Sequence, residues 1–572
     1  MSQPLPSWAE EMRDLFKSGS ISQFILHGNV FDGVPATVGA ERKLVPLRGF
    51  LDEMMFKTYD VVLHYNRGKG ILATRGGDDW GDWLKQTVGI DNSLQVRDPA
   101  RALELIDLFL LRALHLRTLK PPRLQKIAVV LDFAEFIAPR GDPLQLGGEY
   151  SGNVIRILGW ANDPAILQAN IATVLLTEGL HDLSEVLVEN PHAAKLKIPL
   201  PDERDMLDHA RVLSETLLPD LKTRCEVPLE VLARRLTGLT RVGAQTALSL
   251  ALNNGKPVTS AWLTKMKKDL IERECQGLLE FLESPFTLDH VAGHDPVKSW
   301  LREDAQLLKR GAFHALPMGY LVTGRIGTGK TFLIQCWAGE LGIPCVVFKN
   351  FRDKWVGATE SNLEKIFAVL RALGQVVVFV DEADQMAGKR EGGDNDGGLS
   401  GRVYGMLAKE MSDTLNRGKI LWVFATSRPD LLEVDLKRQG RLDVHIPLFP
   451  PETPEERRAL MGSVARKYKL PVKPEDLTDL PTTMTLGGNE IEGILIRALR
   501  VYELLPEPRK PLKEILADVF KDIRPSAHTQ KLEYMDLIAV KECTDERFLP
   551  ARFRSLSPEE IEKKIGELRR FV

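Results

Sequence analysis

The sequence predicts an α/β protein of two tandem modules, each a parallel α/β core with a small helical lid, the first lacking a phosphate loop. Three observations carry that prediction. Short apolar runs alternate with segments of helical period, the pattern of parallel sheets covered by helices. Residues 319–331 read GYLVTGRIGTGKT, an apolar strand running into G-x-x-x-x-G-K-[ST]. The halves also echo each other. Asp182-Leu183-Ser184-Glu185-Val186 resembles Asp430-Leu431-Leu432-Glu433-Val434 at an offset of 248, and Ile198-Pro199-Leu200 matches Ile446-Pro447-Leu448 at the same offset.

A chain of 572 residues exceeds a single hydrophobic core, so several domains are expected. The net charge of −3 gives no electrostatic footprint for nucleic acid, and none is expected as a partner. Five scattered cysteines without a C-x-x-C pair read as reduced thiols of a cytoplasmic protein, with neither a disulfide framework nor a zinc site. The start of the chain lacks a signal-peptide core. The most apolar stretch, Leu103 to Leu116, is broken by Glu104, Asp107 and Arg112, so no membrane span is expected.

In chain order, residues 8–17 have the spacing of an amphipathic helix, followed by a strand at Phe24 to His27. Further strands are expected at 60–64, 126–132 and 171–177, with a helix at 100–116 between them. The pattern is helical from 202 to 252 and again from 259 to 282. The boundaries that follow are 1–205 for the first core, 206–257 for its lid and 258–285 for a linker helix. The second core takes 286–450, its lid 451–530 and a helical tail 531–572. No phosphate loop precedes residue 324, Phe133 stands where a catalytic glutamate would be needed, and Asn190 and Ala193 replace a pair of arginines. The first module therefore reads as structural or regulatory.

The second half carries a full set of phosphate-handling residues. In Gly324-Arg325-Ile326-Gly327-Thr328-Gly329-Lys330-Thr331 the glycines let backbone N–H groups turn inward toward phosphate oxygens, and the following helix adds its positive end. Lys330 can reach the β- and γ-phosphates of ATP, and the Thr331 hydroxyl can ligate Mg²⁺. Val376 to Val380 is a fully apolar run ending in Asp381-Glu382-Ala383-Asp384. Ligands of parallel sheets sit at strand carboxyl ends, so Asp381 is placed for Mg²⁺ and Glu382 for the attacking water. A third run, 420–426, ends at Ser427, whose hydroxyl points to the γ-phosphate or its water. Arg438 and Arg441, three apart beside Gly440, suit contact with a neighbour's γ-phosphate; taken alone, such arginines are commonly solvated surface charges.

These motifs, with Ala425-Thr426-Ser427-Arg428-Pro429 and Arg438-Gln439-Gly440-Arg441-Leu442-Asp443, together resemble the AAA ATPases over residues 286–505. The resemblance implies an ATPase with Lys330 and Thr331 on the phosphates and Mg²⁺, Asp381 and Glu382 on metal and water, and Arg438 and Arg441 as arginine fingers. Phe286 to Gly293 resembles the segment whose backbone frames the adenine, which places Val291 and Ala292 at the base. Asn489, in Leu486-Gly487-Gly488-Asn489-Glu490-Ile491, falls in the lid segment that closes over it. Lys354-Trp355-Val356-Gly357 resembles the central-pore loop that grips a polypeptide; a core aromatic is the other reading of Trp355. The sequence departs from the family at Ser427, where asparagine is usual, and at Arg325-Ile326, where two prolines are usual. No arginine stands at the lid's second-sensor position. Gly238-Leu239-Thr240, Gly277 to Phe281 and Ile523-Arg524-Pro525 further resemble the cyanobacterial and plastid branch, which pairs a degenerate first module with an active one.

The function expected on these grounds is ATP hydrolysis in a homo-oligomeric ring, six-membered on the family's pattern, that remodels or translocates a protein client. The alternative is a nucleotide-gated switch or scaffold that binds ATP and a partner without threading it. Trp355 separates the two, because its loss should cost a threading motor its client-stimulated work and not its ATP binding.

Overall fold

The computed structural model describes residues 5–38, 41–89, 96–118, 124–141, 147–275, 277–349, 359–387, 399–467, 486–506, 510–522 and 528–571. Trp355, Val356 and Gly357, and Ile523-Arg524-Pro525, lie outside them. The chain divides into two compact units, Met1–Ile271 with Gly357–Ala372, and Glu272–Val356 with Leu373–Val572.

The first unit is built on six strands: β1 (Gln23–Gly28), β4 (Val61–Asn66), β5 (Gly70–Arg75), β6 (Ile127–Asp132), β7 (Ile171–Thr177) and β8 (Ala193–Ile198). A separate antiparallel hairpin, β2 (Gly33–Val38) with β3 (Glu41–Pro46), follows β1. The sheet order is β5-β4-β6-β7-β1-β8, parallel except where β5 runs antiparallel to β4 at the edge. Both faces of the sheet are covered. Along β6, Ile127, Val129 and Leu131 belong to one apolar cluster with Trp80, Phe109 and Trp160. Ala128 and Val130 belong to another with Trp8, Met12 and Phe50. Such two-sided burial is why these strands read as continuous apolar runs and not as alternating ones. The lid helices include Glu203–Glu215, Leu229–Leu236 and Arg241–Asn253.

The second unit repeats the plan with β9 (Leu279–Phe281), β10 (Gly319–Thr323), β11 (Cys345–Phe348), β12 (Val376–Val380), β13 (Ile420–Thr426) and β14 (Val444–Pro447). Its order, β14-β10-β13-β12-β11-β9, corresponds strand for strand to β8-β1-β7-β6-β4-β5 of the first. Each sheet again ends in one antiparallel edge strand. The edges differ in origin, because β5 follows β4 in the chain whereas β9 comes before β10. This bears on the helix expected over 259–282. The helix stops at Glu274, and residues 279–281 are extended and pair with β11. Helical spacing could not reveal that stop, because the apolar Leu278 and Leu279 fit a helix face and a buried edge strand equally well.

Beyond β14 the second unit is helical. Pro454–Lys467, Gly488–Leu504 and Leu512–Asp522 share one apolar cluster. The tail helices Thr529–Glu542 and Pro558–Leu568 form another, together with Phe449 and Phe553. No helix among the described residues is long and apolar enough to cross a membrane.

Candidate functional site

At the carboxyl end of β10 the chain turns through Gly324 to Gly329 into the helix Lys330–Leu341. Gly324, Gly327 and Gly329 all have positive φ, at 136°, 85° and 85°. At Gly324 a side chain is also excluded by space, since a Cβ would lie 2.2 Å from the carbonyl oxygen of Leu448. Only glycine supports this curl.

Lys330 lies across the loop it follows. Its Nζ donates to the carbonyls of Gly324 at 2.8 Å and Arg325 at 3.1 Å, and to Ser427 Oγ at 2.8 Å. Burial lowers the pKa of this ammonium to about 8, against the opposing pull of Asp381 and Asp384. The Ser427 hydroxyl therefore reaches the same point as Lys330, although serine is shorter than the asparagine usual there.

Thr331 Oγ1 donates to Asp381 Oδ2 at 2.8 Å, so the two residues expected at Mg²⁺ already face each other. The other oxygen, Asp381 Oδ1, accepts the backbone N–H of Glu382 at 3.0 Å. Glu382 is exposed and has φ of 48°, a left-handed backbone that non-glycine residues seldom adopt. Backbone strain of this kind recurs at functional sites. Phe133, which follows Asp132 at the end of the corresponding strand β6, has the same conformation at 55°. The two strand ends are thus equivalent in backbone and different in chemistry. Asp384, which the sequence reading left without a role, accepts a hydrogen bond from the Thr426 hydroxyl and ties β13 to the segment after β12.

The two arginines differ in their surroundings. Arg438 has a side chain 75% exposed, with its closest described anion, Asp435, at 3.8 Å. Arg441 is 18% exposed, paired with Asp435 at 2.8 Å and hydrogen-bonded to the Asp435 carbonyl at 2.7 Å.

Beside the loop lies a cavity of about 540 Å³, lined by Val291, Ala292, Gly327 to Gly329, Phe332 and Asn489. The lid touches the loop directly, because the N–H of Gly488 donates to the Gly327 carbonyl at 2.7 Å. Phe548, Leu549 and Pro550 of the tail line the same cavity. No motif marked these three, and an apolar run more than 200 residues from the loop carries no spacing signal that could have. The loop, the ammonium, the hydroxyl–carboxylate pair and the cavity together fit a nucleoside triphosphate with its divalent cation.

In the first unit the segment after β1 meets its lid through a carboxylate, where the second unit uses the Gly327 carbonyl. After β1, Asp32 accepts the backbone N–H groups of Gly33 at 2.8 Å, Arg241 at 2.9 Å and Val242 at 3.0 Å. Its carboxylate also takes the Asn29 amide at 3.0 Å. The last two backbone donors belong to the first turn of the lid helix Arg241–Asn253. An internal carboxylate thus occupies the helix N-terminus, where an anion is favoured.

Three family models match parts of the chain. Residues 2–199 match the family described as AAA+ chaperone, N-terminal Rossmann-like domain, and residues 214–276 match the AAA+ chaperone, second helical domain. Residues 320–449 match the ATPase family associated with various cellular activities, AAA. Among curated relatives, the ATP-dependent zinc metalloprotease FtsH 2 of Symbiobacterium thermophilum is 36% identical over 179 residues, 30% of each chain. The cell division cycle protein 48 homolog of Archaeoglobus fulgidus is 26% identical over 360 residues, 59% of this chain and 48% of the relative. The peroxisomal ATPase PEX6 of Candida glabrata is 29% identical over 276 residues, 44% and 27% of the two. The chain spans less than half the length of each of these relatives.

Proposed function

We propose that this chain, which combines an AAA+ chaperone N-terminal region with an AAA module, binds Mg-ATP at its second unit and hydrolyses it at an interface shared with a second copy. The observation that carries this reading is the convergence of Lys330, Ser427, Thr331 and Asp381 on one strand-end cleft, with Glu382 beside them. The names of the relatives, an ATPase and an ATP-dependent protease among them, support the same chemistry.

In this reading Lys330 and the loop N–H groups hold the β- and γ-phosphates, while Thr331 and Asp381 hold Mg²⁺. The cation, when bound, neutralises charge between the β- and γ-phosphates. Glu382 orients and polarises the attacking water, and Ser427 keeps the Lys330 ammonium at the γ-phosphate end. Val291, Ala292 and Asn489 face the base. Arg438 supplies positive charge to a neighbouring copy's site, for which its exposure suits it. Arg441 supports that segment from behind. Head-to-tail contact of this kind closes into a ring when the rotation allows, six-membered on the family's pattern.

The first unit is read as nucleotide-free, on the strength of Phe133 at the catalytic position and the lack of a phosphate loop before residue 324. In this reading the chain resembles the branch that pairs a degenerate module with an active one. The free thiols of all five cysteines fit a cytoplasmic setting, and a protein client is the substrate class that suits the assembly.

Mixing two inactive variants tests the shared site. Glu382→Gln keeps the groups that bind Mg-ATP, and Arg438→Ala keeps its own pocket whole. Mixed at equal amounts and co-assembled, some interfaces pair an intact Glu382 with an intact arginine, so part of the phosphate release returns. Co-assembly without any recovery would exclude the shared site and favour a nucleotide-gated switch.

A further inference from the structure

We propose that Asp536, on the tail helix Thr529–Glu542, is a positioning residue for the phosphate loop, acting through Arg325. The inference rests on the reading of that loop as the ATP site and adds to it a part supplied from outside the AAA module.

Arg325 is the second residue of the loop. Its carbonyl accepts from Lys330 Nζ at 3.1 Å and from Thr328 Oγ1 at 2.9 Å, so its backbone helps define the loop's curl. Its side chain is buried, with the guanidinium 3.7 Å from Asp536 Oδ2, itself buried. Oδ1 of Asp536 has no hydrogen-bond partner. Charges buried on both sides of a contact hold each other, because losing one leaves the other its desolvation cost with less compensation, although Glu490 of the lid also acts on Arg325. The loop is therefore fastened to the tail by a pair that neither segment can release cheaply.

The same helix reaches two more segments of the site. Tyr534 donates to Asp430 Oδ2 at 3.2 Å, and its ring lies under the Arg428 guanidinium at 5.4 Å, next to Ser427. Glu542 pairs with Lys437, the residue before Arg438. One helix thus braces the phosphate loop, the Ser427 segment and the arginine segment. Position 325 is where the sequence departs from the family's two prolines, which are rigid by themselves. Here an arginine held by the tail takes over that stiffening.

Protonation gives a readout that simple packing would not. Asp536 faces Arg325 from the loop, Arg552 from the tail, Glu533 on its own helix and Glu452 beyond β14. It also acts on Lys330 at longer range. Burial raises the Asp536 carboxyl to about 6. The ion pair is then present at pH 7.5 and lost at pH 5.

The test measures Mg-ATP binding to the full chain by calorimetry, for wild type, Asp536→Asn and the paired change Arg325→Met with Asp536→Leu. Asp536→Asn is expected to weaken binding roughly tenfold at pH 7.5, since it removes the buried carboxylate that faces the Arg325 guanidinium. The gap to wild type should close as pH falls through about 6, where the wild-type carboxyl is itself neutral. The paired variant removes both charges and should bind within about threefold of wild type. A loss below about threefold for Asp536→Asn, a gap that does not change with pH, or a paired variant worse than about threefold would overturn the proposal. Should Asp536→Asn fail to fold, the paired variant decides by the same limit. Lys330→Met separates this failure from that of the site. If Lys330→Met binds as wild type does, the ATP site is misassigned; if it loses binding while Asp536→Asn does not, only the tail's role falls.

Discussion

Replacing Lys330 by methionine should remove ATP binding and, in the same variant, relieve the folded protein of a strained charge. Burial lowers the Lys330 pKa from the ordinary 10.5 to about 8, a gap of ~2.5 units. At ~1.4 kcal/mol per unit that is a cost of at most ~3.5 kcal/mol to the folded apo protein, with partial exposure of the side chain reducing it. The sign follows from proton counting. Below pH 8 the lysine is charged in both states and the cost is present in full. Between 8 and 10.5 the folded state binds fewer protons than the unfolded one, so wild-type stability rises with pH and the cost disappears. The methionine variant lacks this rise. It also loses the hydrogen bonds to Gly324, Arg325 and Ser427, worth about 1 kcal/mol each, which offsets much of the gain at pH 7. The pH slope is thus the sharper signature. ATP affinity moves the other way in the same window, because a neutral amine no longer holds phosphate, and it should fall about tenfold per pH unit above 8. Urea denaturation from pH 7 to 10, with and without Mg-ATP, reads both effects. Wild type should gain ~2.7 kcal/mol at a hundred times Kd, and the variant nothing. An affinity that stays flat from pH 7 to 9.5, or a methionine variant stabilised by Mg-ATP, would refute the reasoning.

Two further outcomes are expected. Arg438→Ala should leave apo stability and ATP binding within about 0.5 kcal/mol of wild type while hydrolysis falls steeply; Arg441→Ala should also lower the melting temperature, because it releases Asp435. Enzymatic phosphate release and differential scanning calorimetry separate the two. Asp32→Ala should destabilise the first unit by about 1–3 kcal/mol in urea, since it leaves the backbone N–H groups of Arg241 and Val242 at the start of the lid helix without their acceptor, while the Arg241 guanidinium keeps Asp205 at 3.1 Å. ATP should not restore the loss, because the first unit has no phosphate loop.

The sequence alone determined the parts of this protein that depend on local chemistry. A phosphate loop needs glycines where φ is positive and a lysine just after them, so Gly324, Gly327, Gly329 and Lys330 are visible as a string. Strands buried on both faces must be apolar throughout, which made Val376–Val380 and Ile420–Thr426 legible and put Asp381 and Ser427 at their ends. The echo between halves emerged from turn residues, and the matching strand orders are its three-dimensional form. Tertiary structure decided what depends on contact between distant segments. The edge strand Leu279–Phe281 exists because β11 offers it a partner, a fact absent from residues 259–282 themselves. Arg438 and Arg441 look alike in sequence and differ because Asp435 holds one of them close. Asp32 reads as an ordinary turn residue until the lid helix brings two N–H groups to it across more than 200 residues. Asp536 and Arg325 are likewise unremarkable apart, and burial, which no short window of sequence reports, is what makes them a pair.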